Sequence, residues 1–240
     1  MDELTPETVT RESILEILVE KKVDLSSVIE SPMLYSSRQT FTKILTRIEL
    51  FKKIHQVQGS IVECGVYKAD SLMTFFQMSC IHEPYSFTRK IIGFDSFEGF
   101  PHVSERDQDT FAKVAHLNDV DYGLIKSIVQ LQERNKAIPN ISKIELIKGD
   151  ALKTIPHYVD INPHLIVSLL FLDFDLYEPT KVALEYLLPR VPKGGIVAFD
   201  ELNQSKWKGE TQAFEEIIGI RHVKLKKFSF DPHVSYFEVT

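Results

Sequence analysis

Ile61-Val62-Glu63-Cys64-Gly65-Val66 is where the chain changes its period. Upstream of Gly59-Ser60 the apolar residues recur at helical spacing. Ile14, Leu15, Ile17 and Leu18 form one stripe, and Phe41, Ile44, Leu45, Ile48, Leu50, Phe51 and Ile54 form another. The hexapeptide is instead a short continuous apolar run closing on a glycine, the pattern of a buried strand entering a tight turn. Beyond it the spacing predicts helices over 71–80, about 122–136, 151–158, 179–188 and 210–218. Between them it predicts strands over 90–94, 144–148, 166–172 and 195–199. Strands of unbroken Val, Ile, Leu and Phe character alternating with helices imply a parallel sheet covered on both faces. The alternation ends in two strands, 222–230 and 233–239, joined at Asp231-Pro232 as an antiparallel hairpin. The fold class is α/β, five β/α units with a C-terminal hairpin. Residues 1–58 read as a helical extension or cap and 59–240 as the α/β domain.

Composition narrows the partners. With 240 residues, 43% hydrophobic and 26% charged, disorder, collagen and coiled coil are excluded. A chain of this length buries roughly 70–75% of its unfolded surface, so it needs neither disulfides nor a structural metal. Twenty-eight Lys+Arg against 34 Asp+Glu give a net charge of −6. No global basic field exists to attract nucleic acid or an anionic membrane, and a small-molecule partner is favoured. Cys64 and Cys80 lack metal spacing and the start, Met1-Asp2-Glu3-Leu4, is acidic, which together suggest a reduced, cytoplasmic protein. The longest apolar run, 165–172 apart from Ser168, is about half of what a bilayer requires. The polar stretch 101–121 reads as a mobile cover over the site.

Ligands of open parallel sheets bind at the carboxyl ends of the strands, so the residues just after each strand are the candidates. They are Gly65-Val66-Tyr67-Lys68, Asp95-Ser96-Phe97-Glu98-Gly99, Gly149-Asp150, Asp173-Phe174-Asp175 and Asp200-Glu201. Gly65 either admits a ligand to the backbone or makes a tight turn. Asp95 either accepts from two ribose hydroxyls or forms an Asx turn. Asp150 either meets an adenine amino group or caps the following helix. Asp173, Asp175, Asp200 and Glu201 form the strongest constellation, since neighbouring strands lie about 4.8 Å apart. Carboxylates that close repel unless a cation or proton intervenes, and hard oxygen ligands suit Mg²⁺. The alternative is helix capping or pairing with Lys or Arg. If strand geometry continues, Asp173 and Asp175 point the same way. None of the eight histidines has ligand or catalytic spacing, and His102 and His116 read as solvated surface. Trp207 and the run Ser205-Lys206-Trp207-Lys208-Gly209-Glu210 either line a substrate mouth or, for the lone Trp, leave it simply half-packed.

Four strings, Val62-Glu63-Cys64-Gly65-Val66, Asp95-Ser96-Phe97-Glu98-Gly99-Phe100-Pro101, Leu172-Asp173-Phe174-Asp175-Leu176-Tyr177-Glu178-Pro179-Thr180 and Gly194-Gly195-Ile196-Val197-Ala198-Phe199-Asp200-Glu201, resemble the macrocin O-methyltransferase family. The likeness runs from about Tyr35 to Phe214. Those enzymes methylate sugar hydroxyls and have the Rossmann-like class I methyltransferase fold. The resemblance implies S-adenosyl-L-methionine and Mg²⁺ as cofactors. It further implies that Gly65 and its neighbours hold the methionine part and Asp95 the ribose, with Glu63, Tyr67, Ser71, Ser96, Gly149, Asp150 and Asp173 also binding the cofactor. Asp173, Asp200 and Glu201 look like the metal ligands and Asp175 like the general base. The family often has Arg-Gly-Gly where this chain has Lys68-Ala69-Asp70, and a second Asp where it has Glu201. A sugar substrate and a homo-oligomer, without nucleic acid or membrane, complete the expectation.

Three rivals remain at this level. A nicotinamide-dependent oxidoreductase shares Asp95 and the strand-turn-helix, but Gly65 alone is short of G-x-G-x-x-G. A non-catalytic protein with the same fold would leave the clustered carboxylates without a use. A metal-dependent methyltransferase of phenolic diols differs only in substrate geometry.

Overall fold

The computed structural model describes residues 6–107 and 119–240. The chain forms two compact units that divide inside one helix, Met1–Thr46 and Arg47–Thr240. The first carries α1 (Pro6–Glu20), α2 (Leu25–Glu30), α3 (Pro32–Tyr35) and the start of α4 (Arg38–Ile54). Asp24 caps α2 by accepting from Ser26 N–H at 3.3 Å.

The second unit runs from the end of α4 through β1 (Ser60–Cys64), α5 (Asp70–His82), β2 (Ile91–Asp95), α6 (Tyr122–Arg134), β3 (Ile144–Lys148) and α7 (Ala151–Ile161). It continues through β4 (Val167–Leu172), α8 (Tyr177–Leu187), β5 (Ile196–Phe199), α9 (Lys208–Ile217), β6 (Lys226–Lys227) and β7 (Ser235–Glu238). The sheet order is β3-β2-β1-β4-β5-β7-β6, parallel from β3 to β5 and antiparallel at β7 and β6. The order reverses between β1 and β4, which opens a crevice at their carboxyl ends.

Strand alternation sorts the core into two layers. Val62, Leu170, Leu172 and Phe199 face α7, α8 and α9 through Ile155, Leu184 and Phe214. Ile61, Leu169, Phe171 and Ala198 face α4 and α5 through Leu50, Phe51, Phe75 and Phe76. Every residue of β4 is buried, as the unbroken apolar run requires.

Two expectations change. The strand expected over 222–230 is reduced to Lys226–Lys227. Ile220–His222 forms a 3-10 turn instead, with Ile220 N–H donating to Glu215 Oε2, and Phe228 leaves the ladder to stack on Phe230 and Tyr236. Asp175 adopts φ +63°, so strand geometry stops after β4 and the period-two alignment of Asp173 with Asp175 is lost. Among the described residues no helix is long and apolar enough to cross a membrane.

Candidate active site

The crevice begins at the turn after β1. Gly65 has φ +94°, and a Cβ there would lie 1.9 Å from the Asp173 carbonyl oxygen, so glycine is required by contact with the end of β4. Asp95 closes the turn from β2. Its Oδ2 accepts from Val66 and Tyr67 N–H at 2.7 and 2.8 Å, and its Oδ1 accepts from Phe97 N–H at 2.6 Å. The Asx-turn reading is therefore realised, and a carboxylate, with about four acceptor sites, keeps capacity for a ligand hydroxyl. Ser96 Oγ accepts from Glu98 N–H at 3.1 Å, which shapes the same loop. Gly149, at φ +140°, donates its N–H to the Asp95 carbonyl at 2.9 Å. Asp150 caps α7 through Leu152 N–H at 3.0 Å, so capping too is realised.

At β4 and β5 the carboxylates meet a cation that the strand-end residues do not include. Arg47, on the last turns of α4 and 3% exposed, donates from Nη2 to Asp200 at 3.2 Å and lies 3.9 Å from Asp173. Its Nε donates to Ser71 Oγ at 2.9 Å, and its guanidinium carbon sits 4.6 Å from the centre of the Phe171 ring. Its Nη1 is buried without a hydrogen-bond partner, as is Oε2 of Glu63. Burial pushes the Glu63 carboxyl well above the usual carboxylate range, with Arg47 pulling the other way.

Glu210 is the second group outside the strand-end candidates, and its carboxyl turns to the loops rather than to a substrate mouth. It is fully buried in the first turn of α9. Oε1 accepts from Phe174 and Asp175 N–H at 3.2 and 3.4 Å, and Oε2 accepts from Glu201 N–H at 3.0 Å. One carboxylate thus fixes the loops after both β4 and β5, including the left-handed Asp175. Burial, reinforced by Asp173 and Asp175, raises its pKa. Both residues left a trace in the pattern. Arg47 lies in the apolar stripe of Ile44, Phe51 and Ile54, and Glu210 in that of Ala213, Phe214 and Ile217, so each is an ionisable group on a buried face.

The mouth is tied at two points. Asp107 is buried and accepts from Tyr177 N–H at 3.2 Å, the first residue of α8. Asp119 accepts from Tyr67 Oη at 3.1 Å and from Lys68 Nζ at 2.9 Å. The cover expected over 101–121 is thus packed at Asp107, while 108–118, with His116, lie outside the described residues. Trp207 is half-buried with its ring edge-on to Phe100, 6.1 Å between centres. His102 is exposed, as expected.

The macrocin-O-methyltransferase (TylF) family matches residues 38–237. The chain belongs to this family. Family likeness extends over nearly the whole chain in the crystal structure of CalS11, described as a calicheamicin methyltransferase, which is 30% identical. That alignment covers 99% of this chain and 97% of CalS11 with a TM-score of 0.91. An apo structure of CalS11, described as a TDP-rhamnose 3'-O-methyltransferase, gives 29% identity, 98% and 95% coverage and a TM-score of 0.83. A curated relative from Streptomyces olivaceus, an 8-demethyl-8-(2,3-dimethoxy-alpha-L-rhamnosyl)-tetracenomycin-C 4'-O-methyltransferase, is 29% identical over 148 residues. That stretch is 60% of this chain and 53% of the relative, about half its length. The O-methyltransferase NovP, at 21% identity and a TM-score of 0.64, shares the fold.

The residues suit the family's sulfonium cofactor, because the unpartnered Glu63 Oε2 and the remaining acceptor sites of Asp95 flank the Gly65 turn. The donor chemistry of Asp173, Asp200 and Glu201 suits a hard divalent cation. Their present arrangement gives two of them to Arg47, and among the described residues no three such side chains converge on one point. The alternative of pairing with Arg is what Asp173 and Asp200 adopt.

Proposed function

We propose that this chain is an S-adenosylmethionine- and Mg²⁺-dependent O-methyltransferase acting on a sugar hydroxyl, in a deoxysugar, nucleotide-linked sugar or glycoside. The observation that carries the reading is the set of carboxylates Asp173, Asp175, Asp200 and Glu201 at the adjoining ends of β4 and β5, beside the β1/β4 crevice. The rhamnose-directed activities named for CalS11 and the Streptomyces olivaceus relative support a sugar acceptor.

A sugar hydroxyl is a poor nucleophile at neutral pH and must lose its proton as it attacks a methyl group. S-adenosylmethionine supplies that methyl on a sulfonium sulfur, and Mg²⁺, held by Asp173, Asp200 and Glu201, would offset charge developing on the acceptor oxygen. Asp175 is the proposed general base. Its backbone turns into the left-handed region, and Glu210 holds it there through the Asp175 N–H. Asp95, Gly65, Tyr67, Ser96, Gly149 and Asp150 border the cofactor, and Glu63 and Ser71 lie at its methionine end. Phe100 and Trp207 would exclude water at the acceptor side.

The free thiols Cys64 and Cys80 suit a reducing, cytoplasmic setting. The net charge of −6 favours a small-molecule partner. The exposed apolar side chains Leu15, Val19, Leu25, Ile29 and Leu34 support a helical unit that pairs subunits into a homo-oligomer.

The test is Asp175→Asn assayed against a panel of sugar and catechol acceptors. Turnover is expected to fall by about 10²–10⁴-fold while S-adenosylhomocysteine binding, read by calorimetry, stays unchanged. Normal turnover in the variant would remove Asp175 from the reaction. Activity of the wild type that survives stripping with a chelator would remove the metal.

A further inference from the structure

Two of the carboxylates proposed to hold Mg²⁺ already face a cation that the chain itself supplies. Arg47 Nη2 lies 3.2 Å from Asp200 Oδ1 and 3.9 Å from Asp173 Oδ2. The guanidinium is held there from other sides as well. Its Nε donates to Ser71 Oγ at 2.9 Å, its carbon stands 4.6 Å from the centre of the Phe171 ring, and the residue is buried. Phe171 belongs to β4 and Asp200 directly follows β5, so Arg47 reaches both strand ends from which the proposed metal ligands emerge. Asp173 is the more loosely held of its two partners, at the longer distance and with the more exposed side chain.

An arginine is protonated throughout the pH range of folded proteins, and its planar fork suits carboxylate oxygens. Arg47 therefore does for Asp173 and Asp200 what a divalent cation does, offsetting like charges at the adjoining ends of β4 and β5. The two cations cannot both hold the same oxygens in full, because positive charges about 4 Å apart in a buried site repel strongly. We propose that Arg47 is the resident counter-ion of the metal site, which Asp173 and Asp200 exchange for Mg²⁺, so that Arg47 sets the Mg²⁺ concentration the site requires. The proposal rests on the Mg²⁺ reading above and adds to it a competing group from the helix that precedes the sheet. It means that the carboxylates are charge-balanced while the chain folds, and that folding does not wait on metal.

The test is calorimetric titration of the metal-stripped full chain with MgCl₂ at constant ionic strength, in the wild type, Arg47→Met and Arg47→Lys. Loss of the charge in Arg47→Met is expected to tighten Mg²⁺ binding by about tenfold or more. Arg47→Lys keeps the charge and should stay within about threefold of the wild type. Mg²⁺ should also raise the Tm of Arg47→Met more than that of the wild type, since only the variant lacks a cation at Asp173 and Asp200. A measurement on the wild type alone does not depend on the variants folding. Followed by NMR, Mg²⁺ should move the Nε–H resonance of Arg47 and leave in place that of Arg89, which binds the Gly59 carbonyl and Ser168 at the opposite ends of the strands. Unchanged or weaker Mg²⁺ binding in Arg47→Met overturns the proposal, because Arg47 would then support the metal rather than compete with it. Equal tightening in the Met and Lys variants also overturns it, since space and not charge would be the cause. So does a wild type that binds Mg²⁺ with every arginine resonance unmoved. In each of these cases the wild type still binds Mg²⁺ and the metal reading stands. If neither the wild type nor Arg47→Met binds Mg²⁺, both fall.

Discussion

At Gly65 a single hydrogen atom separates a working turn from a collision. A methyl group there would meet the Asp173 carbonyl at 1.9 Å while the backbone stays at φ +94°. Gly65→Ala should therefore destabilise the protein by about 3 kcal/mol or more, through both strain and overpacking. It should also abolish S-adenosylhomocysteine binding by whatever protein remains folded. Thermal melts and calorimetry read the two effects, and an unchanged Tm would mean that β1 and β4 do not approach as described. The sequence shows a glycine after a strand and leaves open whether it serves a ligand or a turn. The decisive neighbour, Asp173, is far along the chain and arrives only through the β1–β4 register. Arg47 and Glu210 escaped for the same reason. Each breaks an apolar stripe visibly, but the partners that account for it, Asp200 for one and the Phe174, Asp175 and Glu201 amides for the other, come from other elements.

Elements fared better, because strand and helix periods are local properties. The five parallel strands, the order of the helices and the neighbouring of β4 and β5 follow from apolar spacing. Boundaries moved where a distant group decided them. α8 begins at Tyr177 rather than 179 because Asp107 accepts from the Tyr177 N–H. Between α8 and α9, Glu216 accepts from Tyr177 Oη at 2.6 Å, Lys181 Nζ at 2.7 Å and Arg106 Nη1 at 2.9 Å. Lys181 first, then Tyr177, lowers its pKa from 4.5 to about 2. A depressed carboxylate contributes stability in full above its unfolded pKa, and that contribution is lost as pH falls through the folded value. Glu216→Gln should accordingly lower Tm near neutral pH, with the difference from wild type shrinking as pH falls from about 4.5 to about 2. A difference that persists at the acid end would assign the effect to packing rather than charge. Added salt should also diminish it, since the cluster is partly exposed.

For the molecule as a whole, one buried guanidinium gathers the amino ends of the central strands, opposite the crevice. Arg89 donates to the carbonyls of Gly59 and Val57 at 2.8 and 2.9 Å and to Ser168 Oγ at 2.6 Å, and it lies 2.7 Å from Glu83. Arg89→Met leaves Glu83 and those acceptors without their cation and should cost about 3–5 kcal/mol. At this size that corresponds to a Tm lower by roughly 10 °C. Affinity for S-adenosylhomocysteine should stay within about twofold in the folded protein, because the site lies at the other ends of the strands. A large loss of affinity would show that the two ends of the sheet are coupled. The strand order also bears on how the sheet is completed. β7, residues 235–238, sits inside the sheet between β5 and β6. During synthesis β5 emerges well before Tyr236 and Phe237 arrive to pair with it. Until then Ile196–Phe199 presents a bare apolar border to other nascent chains. Native pairing at this border therefore waits until β7 has been made, and a chaperone that shields β5 over that interval should raise the yield of native protein.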